Sequence, residues 1–263
     1  MKHLKAIVNL TAVFVTAFAL STLVHEAVHG LVAKAVGEHP VLFHSYVSYP
    51  DAAPPPLHRV YIAGSGPMIS LLLGVVFLLL LRNHTAVNFI TFFYLWMAVI
   101  GAFVFLGYMM LGPFVDYGDT GQVYSALEVP KYVSVPIAVL AFIAMAAFFR
   151  KLTPVLGSMM QGIKSFNQFD RRKTLWLYFI VPLLAGTLIN VLLSLPAPTA
   201  MSLAFPVLMP FIMLPLAMRL FKSDKLWNSL EKKLLIYTRS PWPMIIVVVM
   251  IIISRMLVSG IKL

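Results

Sequence analysis

Long apolar runs separated by short polar segments extend along the whole chain. A helix needs about 20 predominantly apolar residues to cross the hydrocarbon core of a membrane, and the pattern contains seven candidates for such helices. The fourth run is short, and only a proline-containing turn separates the fifth from the sixth, so counts of six and eight spans stay open. The seven runs are residues 6–34, 60–81, 87–111, 133–149, 174–195, 199–220 and 243–258.

Composition supports the same interpretation. The chain has 263 residues, of which 60% are hydrophobic and only 11% are charged. Soluble domains carry about 25% charged residues, so these values indicate that lipid is the solvent of much of the surface. The sequence therefore predicts an all-α polytopic membrane protein with the lipid bilayer as its surroundings.

The positive charge of the chain is unevenly distributed. The net charge is +11, and about three quarters of the 20 Lys and Arg residues fall in inner segments if the N-terminus lies inside. This bias predicts a multi-pass protein of the cell membrane with its N-terminus inside. It does not favour nucleic acid as a partner, because the basic residues lie mostly in loops between apolar runs. The chain has no cysteine, which excludes disulfides and cysteine catalysis.

The residues capable of chemistry lie in the first half of the chain. Every histidine precedes residue 85, so we assign residues 1–132 to a three-helix catalytic core and residues 133–263 to a helical scaffold. After the first run, residues 39–50 are rich in β-branched and aromatic residues and predict a short interfacial hairpin. We expect two polar segments, residues 150–173 and 224–237, to lie on the inner membrane surface.

An H-E-x-x-H pattern lies inside the first apolar run, formed by His25, Glu26 and His29. Residues four apart on a helix share a face, so both imidazoles can reach one ion. Ionisable groups are expensive in hydrocarbon, and there they are functional by default. The pattern predicts a zinc site in which the two histidines are ligands. The glutamate would take a proton from the attacking water and pass it to the leaving amine.

A catalytic zinc site of this type needs a third protein ligand. The soluble pattern H-E-x-x-H-x-x-G-x-x-H fails, because Val32 and Ala35 replace its glycine and its last histidine. Glu38 and His39 follow soon after the helix and stay open as ligands. Better candidates lie in residues 111–127, since the first and third runs are both predicted to end on the outer side.

At this point the chain resembles the membrane-embedded zinc proteases of the site-2 protease type. That family pairs an H-E-x-x-H with an aspartate in an L-D-G-G-Q-like turn, and "GDTGQ" at 118–122 matches this turn at Asp119. "AGSGPMIS" at 63–70 is similar to the family's A-G-P-x-x-N opening of its second core span. The resemblance covers about residues 1–127. It implies that His25, His29 and Asp119 hold Zn²⁺, and that a membrane protein or peptide is cleaved after pairing with segment 39–50.

The chain departs from the family pattern in several places. Thr120 replaces a glycine after the aspartate, Ser70 stands where asparagine is usual, and the family's Asn-x-x-Pro is reduced to "GP" at 112–113. Asp116 therefore stays open as an alternative third ligand. The alternative without a metal is that Asp119 makes an ordinary helix N-cap or Asx turn.

Two other functions compete with this hypothesis. A serine protease with Ser65 as nucleophile needs a histidine base, and His84, the only histidine beyond Ser65, lies at the far end of the same span. A catalytically inactive relative, or a membrane metal-binding or transport protein, stays open as the second hypothesis. Against it, zinc binding alone does not require Glu26. The later spans also hold few ionisable groups, and Asn190, their main polar residue, is expected to hydrogen-bond between helices.

Overall fold

The computed structural model describes residues 2–83, 87–164, 171–197, 200–222 and 241–263. Seven helical segments in these ranges are long and apolar enough to cross a membrane, which confirms the predicted all-α, multi-pass architecture. The helices are α1 (Lys2–Ala35), α2 (Pro56–Asn83), α3 (Phe89–Leu111), α4 (Asp119–Ala126), α5 (Lys131–Lys164), α6 (Arg171–Leu175), α7 (Val181–Leu193), α8 (Ala200–Lys222) and α9 (Trp242–Met256). A π-helical turn, Trp176–Ile180, joins α6 to α7, and a 3₁₀ turn, Leu257–Ser259, follows α9.

The fourth span is longer than its apolar run. Residues 150–164, predicted as part of a surface loop, continue α5 as a helix. Their side chains explain the difference, because four apolar residues at helical spacing are buried against the core: Leu152, Leu156, Met159 and Met160. The other predicted surface segment, residues 224–237, lies outside the described residues.

The core of the bundle is built around α3, the most deeply buried of the seven spans. Trp96 of α3 stacks on Phe179 with ring centroids 5.5 Å apart and contacts Phe14 of α1 at 4.5 Å. Helices α2 and α3 approach so closely that a Cβ atom on Gly101 would lie 2.6 Å from the backbone nitrogen of Gly74. Small residues permit this kind of contact between membrane helices. The close approach fixes α2, which carries part of the site described below.

The helix–helix hydrogen bond expected for Asn190 is absent from the part of the chain that the structure describes. Asn190 lies on α7, and its side chain is buried. Neither its Oδ1 nor its Nδ2 atom has a hydrogen-bond partner among the described residues. That sequence prediction was therefore wrong.

A short sheet packs beside the first helix. Strands β1 (Val41–Leu42) and β2 (Val47–Ser48) form the predicted hairpin, in antiparallel register with Val41 opposite Ser48. A third strand, β3 (Ile261–Lys262), adds antiparallel to the other edge of β1, so the strand order is β2-β1-β3. The pattern of the sequence did not predict β3. Strand β3 pairs the last described residues of the chain with the hairpin that follows α1.

Candidate metal centre

The structure brings His25, His29 and Asp119 together. The two histidines lie one helical turn apart on α1, and Asp119 is the first residue of α4, ninety positions further along the chain. His25 Nε2 lies 2.9 Å from Asp119 Oδ2, His29 Nε2 lies 3.2 Å from the same oxygen, and the two Nε2 atoms are 3.1 Å apart. Both histidines are buried, and Asp119 is nearly so.

The far nitrogen of each imidazole is held by the second helix. The Ser70 hydroxyl donates to the carbonyl oxygen of Gly66 at 3.0 Å and therefore accepts from Nδ1–H of His25, also at 3.0 Å. Nδ1–H of His29 donates to the carbonyl oxygen of Ile62 at 2.6 Å. These bonds assign the proton of each neutral ring to Nδ1. Each Nε2 atom is left with a lone pair that points towards the cluster.

Three acceptors therefore face one another with no proton of their own between them. Such a set is repulsive unless a proton or a metal ion lies among its members, and two imidazoles with one carboxylate are a common zinc donor set. Ligands at about 2.0–2.1 Å in a tetrahedral site are about 3.3 Å apart, which is close to the observed separations. Hydrogen bonds that fix the second nitrogen of a ligating histidine are also usual. The residues present fit a zinc ion.

Asp119 is adapted to remain ionised in this setting. Burial opposes the charge of its carboxylate, and a proton on either Nε2 atom or a metal ion among the three residues would hold the pKa of the Asp119 carboxyl below its usual range. The alternative of an ordinary N-cap does not describe it. Gly118 is the N-cap residue of α4, and Asp119 directs Oδ2 at the two imidazoles.

A glycine on α2 makes room for the two imidazoles. A Cβ atom placed on Gly66 would lie within 2.6 Å of His25 Nε2 and nearer still to the ring of His29. No side chain can therefore occupy position 66 while both rings keep their places. Gly64, two residues earlier, has far more room, because its nearest neighbour would be Val123 Cγ2 at 3.9 Å.

If the cluster holds zinc, replacing Gly66 with alanine is expected to weaken the binding by about 10- to 100-fold, since the added methyl displaces both imidazole Nε2 atoms. Gly64→Ala is the matched control, and it should bind zinc as the wild type does. The measurement is zinc affinity of the purified protein by competition with a chromogenic chelator. Equal affinity in both variants would show that the rings do not hold the ion in the arrangement described.

The cluster lies in the wall of a cavity of about 270 Å³. Glu26 lines this cavity beside His25, as the general base predicted from the sequence must. Tyr108 of α3 stacks on His25 with ring centroids 5.7 Å apart and planes 11° from parallel. Tyr49, which follows β2, closes the cavity from the side of the hairpin, and burial raises its pKa.

The other predicted ligands lie elsewhere. Asp116 is exposed and is not part of the cluster formed by the described residues. Glu38 pairs with His58, with 2.6 Å between its Oε1 atom and the imidazole Nδ1 atom. His39 is exposed. Of the open candidates, Asp119 is the one whose carboxylate reaches both histidines.

Ser65 is closer to a histidine than the sequence suggested. Its Oγ atom lies 3.4 Å from His29 Nδ1, whereas His84 falls outside the described residues. Both Ser65 Oγ and His29 Nδ1 nevertheless donate to the carbonyl oxygen of Ile62, at 2.7 and 2.6 Å. The imidazole thus has no lone pair facing the hydroxyl and cannot act as its base. The geometry agrees with excluding a serine protease.

Sequence reasoning missed several residues that shape the site. The carbonyl of Ile62 and the side chains of Tyr49 and Tyr108 carry no signature that a pattern search recognises. The spacing of "AGSGPMIS" gave the one usable signal, because Gly66 and Ser70 share a face of α2 one turn apart. Both residues of this pair contact the histidines.

Comparisons of the chain with protein-family models, with curated proteins and with solved structures found no match in any of the three. The fold alone does not specify a function, because the same architecture supports unrelated activities. The function is therefore inferred from the residues of the site.

Proposed function

We propose that this chain is a zinc-dependent intramembrane endopeptidase of the site-2 protease type. One observation carries the proposal: three acceptor atoms of His25, His29 and Asp119 converge within 3.2 Å of one another, beside Glu26, in a cavity among apolar helices. Its substrate would be a membrane protein or peptide, because the site lies among helices that are long and apolar enough to span a membrane. The glutamate favours hydrolysis over metal storage, since holding an ion does not require it.

The roles of the residues follow from their chemistry. His25, His29 and Asp119 would hold the ion, which when bound supplies Lewis-acid polarisation of the scissile carbonyl and of the attacking water. Glu26 takes a proton from the water as its oxygen attacks the carbonyl carbon. The carbon–nitrogen bond then breaks, and Glu26 delivers the same proton to the leaving amine. Ser70 and the Ile62 carbonyl hold the imidazoles in the tautomer that leaves Nε2 free.

The test combines metal analysis with a cleavage assay. We expect the purified wild-type chain in detergent to carry about one zinc per chain, since the cluster provides one set of three ligands. It should cleave a fluorogenic apolar peptide of transmembrane length. A strong chelator should abolish cleavage, and added zinc should restore it. His29→Ala should lose both the zinc and the activity.

Other outcomes of this assay would support the competing functions. Zinc retained without cleavage of any membrane peptide would favour an inactive relative or a metal-binding or transport protein. A metal-replete preparation that holds no zinc would assign the cluster to a protonated histidine paired with Asp119, which satisfies the same distances. The proposal would then be wrong.

The membrane and orientation belong to the same proposal. We place the chain in the cell membrane with its N-terminus inside, because the Lys and Arg residues concentrate on that side. The chain has no cysteine, so single cysteines can report the topology. Lys2→Cys should resist an impermeant thiol reagent added outside intact cells. Labelling of this cysteine from outside would show that the N-terminus lies outside.

The hairpin offers an edge for the substrate. Strand β1 is paired on both sides, and Tyr46, Val47 and Tyr49 around β2 line the metal cavity, whereas no residue of β3 does so. The outer edge of β2 is therefore the one that an extended peptide in the cavity can reach, through main-chain hydrogen bonds.

Replacing residues 43–48 with a Gly/Ser stretch is expected to lower the rate of peptide cleavage by about 30-fold. This is the effect of losing two hydrogen bonds of about 1 kcal/mol each. Replacing the exposed loop residues 51–53 in the same way is the control, and zinc content should be normal in both variants. Unchanged cleavage after the replacement of residues 43–48 would exclude pairing of the substrate with β2.

A further inference from the structure

A second, smaller cavity lies next to the metal cavity. Its volume is about 30 Å³, enough for about two water-sized groups. It is lined by the middle of α1, the hairpin, the C-terminal end of α7 and α9. Apolar side chains such as Leu23, Met250 and Leu257 form most of its wall.

Three of its lining residues present polar atoms with no partner. Asn190 is 2% exposed, His44 is 7% exposed and Ser45 is 8% exposed. Asn190 Oδ1 and Nδ2, His44 Nδ1 and Ser45 Oγ make no hydrogen bond to any group in the described part of the chain. Buried polar groups in native proteins are normally satisfied, so a cluster of four such atoms around one cavity calls for a ligand.

The unpartnered atoms define what the cavity can bind. His44 Nε2–H donates to the carbonyl oxygen of Ser194 at 3.2 Å, which leaves Nδ1 as an acceptor. Burial holds the pKa of His44 below its usual value, and the charge of Arg255 adds to this effect, so the ring is neutral at pH 7. Asn190 offers one donor group and one acceptor, and Ser45 offers both. No described lining residue carries a charge, so the cavity fits a small neutral group that both donates and accepts.

The two cavities share part of their walls. Phe18, Thr22, Ser45 and Ser194 line both of them. Along α1, Thr22 precedes His25 by about 4.5 Å and Phe18 precedes it by about 10 Å, at 1.5 Å per residue. An extended peptide advances about 3.4 Å per residue. A substrate strand that runs along α1 through the metal cavity would therefore present a side chain here about one to three residues from the scissile bond.

We propose that this second cavity is a specificity subsite that takes a small, neutral, hydrogen-bonding side chain of the substrate, namely serine, threonine or asparagine, with Asn190 as the residue that selects it. The inference rests on the proposed endopeptidase function. It adds a sequence requirement to that function, because an apolar side chain would leave the four polar atoms of the cavity unsatisfied.

The probe is a set of labelled apolar peptides of transmembrane length that differ at one position. The varied position is placed at each site along the peptide in turn. At each site, serine, threonine and asparagine are compared with alanine and valine. The zinc-loaded wild type should cleave the best polar peptide on the order of 10- to 100-fold faster than its alanine counterpart, judged by kcat/KM. Asn190→Leu should erase this preference while still cleaving the alanine peptide. Ser45→Ala should reduce the preference as well.

Thr187→Val is the matched control. Thr187 lies one turn before Asn190 on α7, and its hydroxyl is also buried without a partner among the described residues, but it does not line the cavity. This variant should keep the wild-type preference. Thermal melting of each variant separates folding from selectivity. Asn190→Leu should melt no lower than the wild type, because it removes a buried polar group that makes no bond with the described residues.

A binding measurement distinguishes the failure of the subsite from the failure of the proposed function. Anisotropy of the same peptides with zinc-loaded Glu26→Gln reports recognition without hydrolysis. Binding that prefers the polar peptides and loses the preference in Glu26→Gln/Asn190→Leu supports the subsite even if no peptide is cleaved. Cleavage that is equally fast whichever residue is placed at the varied position overturns the subsite and leaves the endopeptidase standing. Binding that shows no preference and is not followed by cleavage in the wild type overturns both. If the zinc-loaded chain neither binds nor cleaves any peptide, both are wrong.

Discussion

Glu26→Gln is expected to lower the rate of peptide hydrolysis by about a hundred- to ten-thousandfold while leaving the zinc content at one per chain. Positioned proton transfer contributes effects of this size, and the amide cannot accept the proton of the attacking water. The substitution keeps the shape of the side chain in the cavity wall. It also leaves the contacts that orient His25 and His29 unchanged, because Ser70 and the Ile62 carbonyl make them. The measurement pairs zinc analysis with initial rates on a fluorogenic membrane peptide.

Glu38→Gln provides the matched control for this prediction. Glu38 pairs with His58 at 2.6 Å and does not line the metal cavity, so its loss should leave hydrolysis and zinc content at wild-type values. A Glu26→Gln protein that retains zinc and cleaves at the wild-type rate would exclude Glu26 as the general base. Loss of zinc together with activity would instead assign Glu26 a role in holding the site together.

Hydropathy predicted the seven spans because each crossing needs an unbroken apolar stretch, and that requirement is visible in a single sequence. The same rule failed after residue 149, where Arg150 and Lys151 end the apolar run but the helix continues to Lys164. The continuation depends on one buried stripe, including Leu156 and Met159, that packs on the rest of the bundle. A hydropathy window averages over all faces of a helix and therefore cannot detect a single apolar face.

The site could likewise be predicted from the sequence only where its residues are close together along the chain. The spacing of His25 and His29 is fixed by one turn of one helix, so the sequence indicates that they share a face. The contact with Asp119 depends on how α4 packs against α2 and α3. It was expected because two spans should end on the same side and because "GDTGQ" resembles the family's aspartate turn. Ser70 and the Ile62 carbonyl reach the imidazoles through the close packing of α1 and α2, for which "AGSGPMIS" was the one local signal. The polar cluster at Asn190 depends on elements 150 residues apart, as the bond between His44 and Ser194 shows.

Asp119→Asn is expected to weaken zinc binding by more than about 100-fold, whereas Asp116→Asn should bind zinc as the wild type does. Even residues that only orient a ligand contribute 10- to 100-fold to affinity, so losing a charged ligand should cost more. Asp119 Oδ2 lies 2.9 and 3.2 Å from the two imidazole nitrogens, while Asp116 is exposed and outside the cluster. Asparagine keeps the size of the side chain and its place at the start of α4. The variant therefore tests the charge and the ligand atom and not the fold.

The pair of aspartate variants also decides between the two ways in which the cluster can be satisfied. If a zinc ion joins the three residues, Asp119→Asn loses the metal and the proteolytic activity together, and excess zinc restores part of both. If a protonated histidine paired with Asp119 is the true state, the wild type holds no stoichiometric zinc, and Asp119→Asn changes stability without changing metal content. Loss of zinc in Asp116→Asn alone would require the 112–118 turn to rearrange around the ion. In that event the arrangement of His25, His29 and Asp119 would not be the metal-bound one.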